Sequence, residues 1–202
     1  FENKKIKKFI QIGSSVEYGN MKSPQKESFL KKFKNTNSRY GNAKLYTTMF
    51  LLNKFKKKNF PVSILRLYLV YGENQESNRV IPYVIKNSLK NNKFNCSSGI
   101  QLRDFLYIED LLSAIYKCLL NPKSNGEIFN IGSGKPEKIK DVIMKIVKLS
   151  EGGIPNFSKI KLRKDEILKL YPNIEKAKKV LKWKPNFILS KGLKKTIQTY
   201  KN

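Results

Sequence analysis

Along this chain, short apolar runs alternate with stretches whose apolar positions recur every three or four residues. The run Lys-Phe-Ile-Gln-Ile-Gly at 8–13 is short, apolar and stopped by glycine, which predicts a buried strand. A loop rich in Ser, Lys, Pro and Asn follows as far as Ser38. From Tyr40 to Lys58 the apolar residues Leu45, Met49, Leu52 and Phe55 share one helical face, and Asn59 ends that helix. Residues 61–71, Pro-Val-Ser-Ile-Leu-Arg-Leu-Tyr-Leu-Val-Tyr, predict a second strand closed by Gly72. Strand, helix and strand in this order are the signature of a parallel-sheet crossover.

Beyond Gly72 the pattern predicts helices over Ile81–Leu89 and Asp110–Leu120. In the second, Asp110 takes the N-cap position and Asn121-Pro122 stops the helix. A short strand, Glu127–Gly132, is followed by helices over Lys138–Leu149, Ile174–Leu181 and Ser190–Tyr200. Alternating elements throughout give an α/β fold class.

Composition narrows the chemistry more than the fold. At 202 residues and 40% hydrophobic content, the chain can bury one substantial core or two small ones. No apolar run approaches the ~20 residues of a membrane span. The opening Phe1-Glu2-Asn3-Lys4-Lys5 lacks the layout of a signal peptide. The start without methionine leads us to expect a fragment or a processed chain. Cys96 and Cys118 make no disulfide framework, so a reducing cytoplasm is the expected location. There is no histidine, which removes the usual zinc sites and His-based triads, and no metal is expected. Acid–base work falls to Tyr, Lys, Asp, Glu or Ser.

The net charge of +27 raises the possibility of a nucleic-acid or anionic surface. Only five of the basic residues are arginines (39, 66, 79, 103 and 163), against 37 lysines, with 20 each of Asn and Ile. That mixture is what an AT-rich coding sequence favours. Base-reading sites lean on arginine, and these lysines are scattered, so no nucleic-acid partner is expected. A basic, non-catalytic module that binds RNA or an acidic partner stands as the reading from a different class.

Three features suggest a reaction centre: Ser14-Ser15 closing the first strand, Tyr40 opening the helix, and Lys44 one turn on. Residues four apart share a helix face, so the Lys44 ammonium comes near the Tyr40 phenol. A free phenol has a pKa of ~10; lowering it by ~2–3 units through a nearby cation corresponds to ~3–4 kcal/mol. Such a tyrosine exchanges protons with a carbinol/carbonyl pair near neutrality. A strand-end serine hydroxyl can hold the same oxygen, at the end of a sheet where ligands gather. The Tyr-x-x-x-Lys spacing itself is weak evidence. With 10 tyrosines and 37 lysines in 202 residues it should arise by chance about twice, and it occurs twice, at Tyr18/Lys22 and Tyr40/Lys44. Context separates them: Tyr18 lies in a loop between Gly19 and its strand, whereas Tyr40 heads a helix between two strands.

The larger pattern resembles the extended short-chain dehydrogenase/reductase family, in its NAD-dependent epimerase/dehydratase branch. The resemblance rests on six ordered blocks: Gly13-Ser14-Ser15-Val16-Glu17-Tyr18-Gly19, Tyr40-Gly-Asn-Ala-Lys44, Arg66-Leu67-Tyr68-Leu69-Val70-Tyr71-Gly72, Arg103-Asp104-Phe105, Asn130-Ile131-Gly132-Ser133-Gly134 and Lys182-Trp183-Lys184-Pro185. It implies that Ser14 is the catalytic Ser/Thr, Tyr40 the general acid/base, and Lys44 the ribose-binding lysine that tunes it. It implies cofactor contacts from Tyr40, Lys44 and Tyr68, with NAD or NADP as the cofactor. Substrate contacts would come from Ser15, from Asn78, Arg79 and Val80 in the substrate loop, and from Arg103 and Arg163, whose planar guanidinium groups suit a diphosphate. The implied partners are a nucleoside-diphosphate sugar and, at full length, a second copy packed through the helix from Tyr40 to Lys58.

The implied architecture is the C-terminal part of a Rossmann-type parallel sheet with helices, plus a smaller mixed α/β substrate-binding domain. Residues 1–72 would be the remainder of the dinucleotide-binding domain, and 73–202 mainly the substrate-binding domain, with about 110–135 returning to the first. Departures from the family pattern are informative too. The family's sugar 4,6-dehydratases carry Asp-Glu after the Ser/Thr; here Ser15 and Val16 stand there, which argues against dehydration. Many 4-epimerases carry Asn where Leu69 stands, and Lys182 replaces a family glycine. A 4-ketoreductase fits these residues best, with a 4-epimerase as the alternative. The family's Gly-x-x-Gly-x-x-Gly turn, which holds the cofactor pyrophosphate, does not occur before Ser14. Residues 1–202 alone are therefore expected to bind dinucleotide poorly.

Overall fold

The structure is a computed structural model that describes residues 6–28, 36 and 38–201. Part of the loop expected before Ser38, at 29–35 and 37, lies outside the described residues, as do residues 1–5 on which the reading of the N-terminus rests.

The first strand, β1 (Phe9–Ser14), runs into a 3-10 turn at Ser15–Tyr18. The first helix, α1 (Arg39–Lys58), starts on Ser38, whose hydroxyl accepts from the Gly41 amide, and stops at Asn59 in the left-handed conformation (φ 51°). Next comes β2 (Val62–Leu67), parallel to β1 with Ile12 opposite Leu65 and Ser14 opposite Leu67. Much later in the chain, β6 (Glu127–Ile131) pairs parallel with the other edge of β2. The resulting three-stranded sheet, in the order β1-β2-β6, is the expected parallel crossover.

Its two faces are buried under different helices, as a parallel sheet requires. Ile64 and Val62 of β2 pack with Ile128 against Leu51 of α1. Leu65, Phe129 and Ile131 point the other way, toward Leu111, Ala114 and Cys118 of α3 (Ile108–Leu120) and toward Trp183. The alternation Ile64/Leu65 thus assigns one residue to each helix layer.

The single strand expected over 61–71 is two strands. After β2 the chain breaks at Tyr68, and β3 (Leu69–Tyr71) joins a second sheet by pairing parallel with β5 (Leu102–Tyr107). A nearly continuous apolar run conceals the change of sheet, because β2 is buried and β3 at least half-buried. In the same sheet, β7 (Pro136–Lys138) lies antiparallel to β5 and β9 (Lys169–Leu170) parallel to it. A two-stranded ribbon joins β4 (Lys93–Asn95) to β8 (Ile154–Asn156). This half has its own core, in which Ile81, Val84 and Ile85 of α2 (Val80–Leu89) meet Val142, Ile143 and Ile146 of α4 (Ile139–Ser150). Leu193 and Ile197 of α6 (Leu189–Lys201) complete it.

Two local expectations need correction or completion. Asp110 is not an N-cap: α3 begins at Ile108, and the buried Asp110 carboxylate accepts instead from the amides of Asn186 (2.8 Å) and Phe187 (3.0 Å). It tethers the segment after α5 (Glu175–Val180) to α3, beside Trp183, whose indole donates to the Asp110 carbonyl at 3.1 Å. Lys182, standing where the family carries glycine, has φ 51°, a conformation in which glycine costs least. No helix among the described residues is long and apolar enough to cross a membrane.

Candidate functional site

The carboxyl end of β1 is built around a sharp turn. Ser14 is extended and accepts the Val16 amide (3.4 Å) on its hydroxyl, while Glu17 returns to accept the Ser14 amide at 2.8 Å. This Ser-x-x-Glu box satisfies the orphan donors that a helical turn leaves at its start. Gly13 is needed because a Cβ there would stand 2.5 Å from Glu17 Oε1. Gly41, in the first turn of α1, comes so close to the same turn that a Cβ would lie 3.0 Å from the Val16 carbonyl oxygen. The helix that carries Tyr40 and Lys44 is thereby pressed against the turn that carries Ser14.

A cleft of about 700 Å³ opens at this point. Ser14, Tyr40, Tyr68, Asn78, Arg79 and Val80 are among the residues that line it. Tyr40 is 56% exposed, and among the described residues nothing hydrogen-bonds its hydroxyl. The Lys44 ammonium stands 5.8 Å from the Tyr40 ring centroid and donates to the Ile12 carbonyl at 3.0 Å. One of its three protons is thus used to tie α1 to β1, and two remain. Tyr68 is 7% exposed, and its hydroxyl donates to Gln25 Oε1 at 2.8 Å. Burial holds that phenol far above its usual pKa, so it can present only its ring and edge to the cleft.

Lys44 and the other expected site residues are not among those that line this cleft. Ser15 is buried in the turn at 6% exposure. Arg103, on β5, is also buried; its guanidinium is paired with Glu166 and donates to the Leu102 carbonyl at 2.9 Å. Burial lowers the Arg103 pKa, and the Glu166 carboxylate partly restores it. Arg163 is exposed, three residues before Glu166, in a turn whose Glu166 amide donates to the Arg163 carbonyl at 3.2 Å. Arg103 and Arg163 therefore belong to one neighbourhood, joined through Glu166, apart from the residues that line the cleft.

Sequence reasoning passed over a buried polar cluster beneath the cleft. Glu17 Oε2 accepts from the Thr48 hydroxyl (2.7 Å) and from Nε and Nη2 of Arg66 (3.0 and 2.7 Å). The Arg66 guanidinium lies 4.4 Å over the Tyr18 ring, and the Tyr18 hydroxyl donates to Asn130 at 2.7 Å. Burial pushes the Tyr18 phenol up to about 12, against the opposing pull of Arg66. The signal was available, since Arg66 interrupts an apolar strand and a charge there needs a buried partner. A second missed group is Asp104, fully buried on β5, which accepts from the amide (2.6 Å) and hydroxyl (2.9 Å) of Ser133. Desolvation raises its carboxyl to about 6 despite those bonds.

The model of the "NAD dependent epimerase/dehydratase family" matches residues 1–132. The chain is 35% identical over 135 residues to CDP-abequose synthase of Salmonella muenchen, covering 66% of this chain and 46% of that protein. It is 29% identical over 204 residues to dTDP-D-glucose 4,6-dehydratase of Homo sapiens, covering 98% of this chain and 57% of that one. Among solved structures, the UDP-glucuronic acid 4-epimerase of Bacillus cereus, in complex with UDP-glucuronic acid and NAD, superposes with a TM-score of 0.88. That likeness comes at 30% identity and covers 99% of this chain and 63% of that one. The chain thus spans about half the length of the curated relatives it matches. Its fold is the α/β, parallel-sheet architecture of these Rossmann-type proteins.

Proposed function

The chain belongs to the NAD dependent epimerase/dehydratase family, and from that premise we propose that the protein of which it forms part modifies a nucleoside-diphosphate sugar at a carbinol/carbonyl carbon, as a 4-ketoreductase. One observation carries the reading: Ser14 at a strand end and Tyr40 at a helix start line the same cleft, with the Lys44 ammonium 5.8 Å from the Tyr40 ring and anchored to the Ile12 carbonyl. The residues present suit the nicotinamide-ribose part of a dinucleotide, because among the described residues Lys44 keeps two donors for a diol and Tyr40 has an uncommitted hydroxyl. When bound, that cofactor supplies the hydride, with NAD and NADP both compatible with these residues. Tyr40 gives its phenolic proton to the sugar oxygen as the carbonyl carbon is reduced, so the carbonyl becomes a hydroxyl. Ser14 donates a hydrogen bond to the same oxygen and orients it. Asn78, Arg79 and Val80 line the same cleft, which supports a role for them in holding the sugar nucleotide. Arg103 and Arg163 would add diphosphate contacts if Glu166 gave up its pairing.

Elimination of water needs both an acid and a base beside the sugar. Among the residues that line the cleft, Glu76 is the one carboxylate, and positions 15 and 16 are Ser and Val. That supports a reductase over a dehydratase. The 4-epimerase reading draws on the likeness to the Bacillus cereus enzyme. A homodimer through α1 is part of the proposal, and the exposed Met49 and Phe50 on that helix support it. The test uses the full-length enzyme with a reduced dinucleotide and a nucleoside-diphosphate 4-keto sugar. Stoichiometric oxidation of the dinucleotide with formation of a 4-hydroxy sugar is expected. Conversion between two 4-epimers without net oxidation would replace it with the epimerase, and loss of water would overturn both.

A further inference from the structure

The Glu17 carboxylate touches the two elements that carry Ser14 and Tyr40, and the strand β2 that lies beside β1. On β1 it accepts the Ser14 amide; on α1 it accepts the Thr48 hydroxyl; on β2 it is paired with Arg66. Glu17 and Arg66 have no exposed surface. Thr48 follows Lys44 by one helical turn and Tyr40 by two, so all three share a face of α1. A hydrogen bond to Thr48 therefore fixes the rotation of the helix that presents Tyr40 and Lys44. Through Arg66, stacked on Tyr18, and Tyr18, bonded to Asn130, the same cluster reaches β6.

Buried ion pairs seldom add net stability, because removing two charges from water offsets their attraction. What a fully bonded buried carboxylate does is admit one arrangement of its donors. The donors here are the backbone of the serine and the helix of the tyrosine, and reacting groups displaced by ~1 Å lose about a hundredfold in rate. We propose that Glu17 is a positioning residue. It sets the spacing between Ser14 and the Tyr40/Lys44 face of α1, and Thr48 transmits its hold to the helix. The inference rests on the reading of Ser14 and Tyr40 as the reacting pair.

The test uses the full-length enzyme carrying Thr48→Val, which removes one hydroxyl at constant shape, beside Thr48→Ser, which restores it. Thr48→Val should lower kcat per folded molecule about tenfold and weaken dinucleotide binding, read by fluorescence titration, severalfold. KM for the sugar nucleotide should stay within about twofold, because the hydrogen bonds of Glu17 go to Ser14, Thr48 and Arg66 and not to Asn78–Val80. Thr48→Ser should recover both losses. Glu17→Gln should reduce kcat about a hundredfold; if that variant does not fold, the Thr48 pair decides. A lowered melting temperature with kcat and dinucleotide affinity unchanged in Thr48→Val would mean Glu17 serves only folding, and would overturn the inference. Tyr40→Phe serves as the control. If it is inactive while Thr48→Val is normal, only the positioning role fails; if it is fully active, the proposed reaction fails with it.

Discussion

Tyr18 and Tyr40 each precede a lysine by four residues, yet the fold gives them opposite environments. Tyr18 is 1% exposed, bonded to Asn130 and covered by Arg66; Tyr40 is 56% exposed on a cleft, with an uncommitted hydroxyl and Lys44 beside its ring. Lys22 is exposed in a loop, while Lys44 is anchored to the Ile12 carbonyl. A spacing shared by chance thus serves packing in one place and leaves an exposed phenol on a cleft in the other. What separates them is the secondary structure on which each stands, and the buried partners one of them has acquired.

The contrast breaks if Tyr40 proves dispensable. Tyr40→Phe in the full-length enzyme should lower kcat by about 10²–10⁴, with the melting temperature unchanged because no hydrogen bond is lost. Buried groups, by comparison, should register in stability. Asp104, raised from 3.8 to about 6 by burial, favours the folded state in its protonated form. Its contribution is complete below about pH 4 and is lost as pH rises through about 6, a change of roughly 3 kcal/mol. Urea denaturation between pH 4 and 7 should show that slope, and Asp104→Asn should flatten it. Tyr18→Phe strands the Asn130 carbonyl and should cost about 1–3 kcal/mol of stability, measured at neutral pH, while kcat stays within a few-fold. Smallest of all, Lys22→Met should change stability by less than about 0.5 kcal/mol; a larger loss would show that the loop copy of the spacing has a structural role.

The sequence made some of this legible and hid the rest for identifiable reasons. β1, α1 and β6 were readable from their apolar runs and spacing, although Ile12 of β1 and Met49 of α1, expected to be buried, stand exposed. β5 was not, since Arg103 and Asp104 interrupt its apolar pattern; their burial is compensated by Glu166 and Ser133, 63 and 29 residues away. β4, β7, β8 and β9 are two or three residues long, too short for an alternation to show. The Ser14, Tyr40 and Lys44 neighbourhood follows from strand and helix ends, which local chemistry marks. The Glu17–Arg66 pair does not, because it spans 49 residues and depends on the register of β1 against β2.

The break at Tyr68 has one more consequence. A single residue carries the chain from the sheet that bears Ser14 to the sheet that bears Arg103, and its hydroxyl is pinned to Gln25. Leu67, Tyr68 and Leu69 all line the cleft, so the two sheets meet there with one residue between them. A residue inserted at that point would shift β3 against β2 beside the opening, while length added in the turn around Arg163 would not.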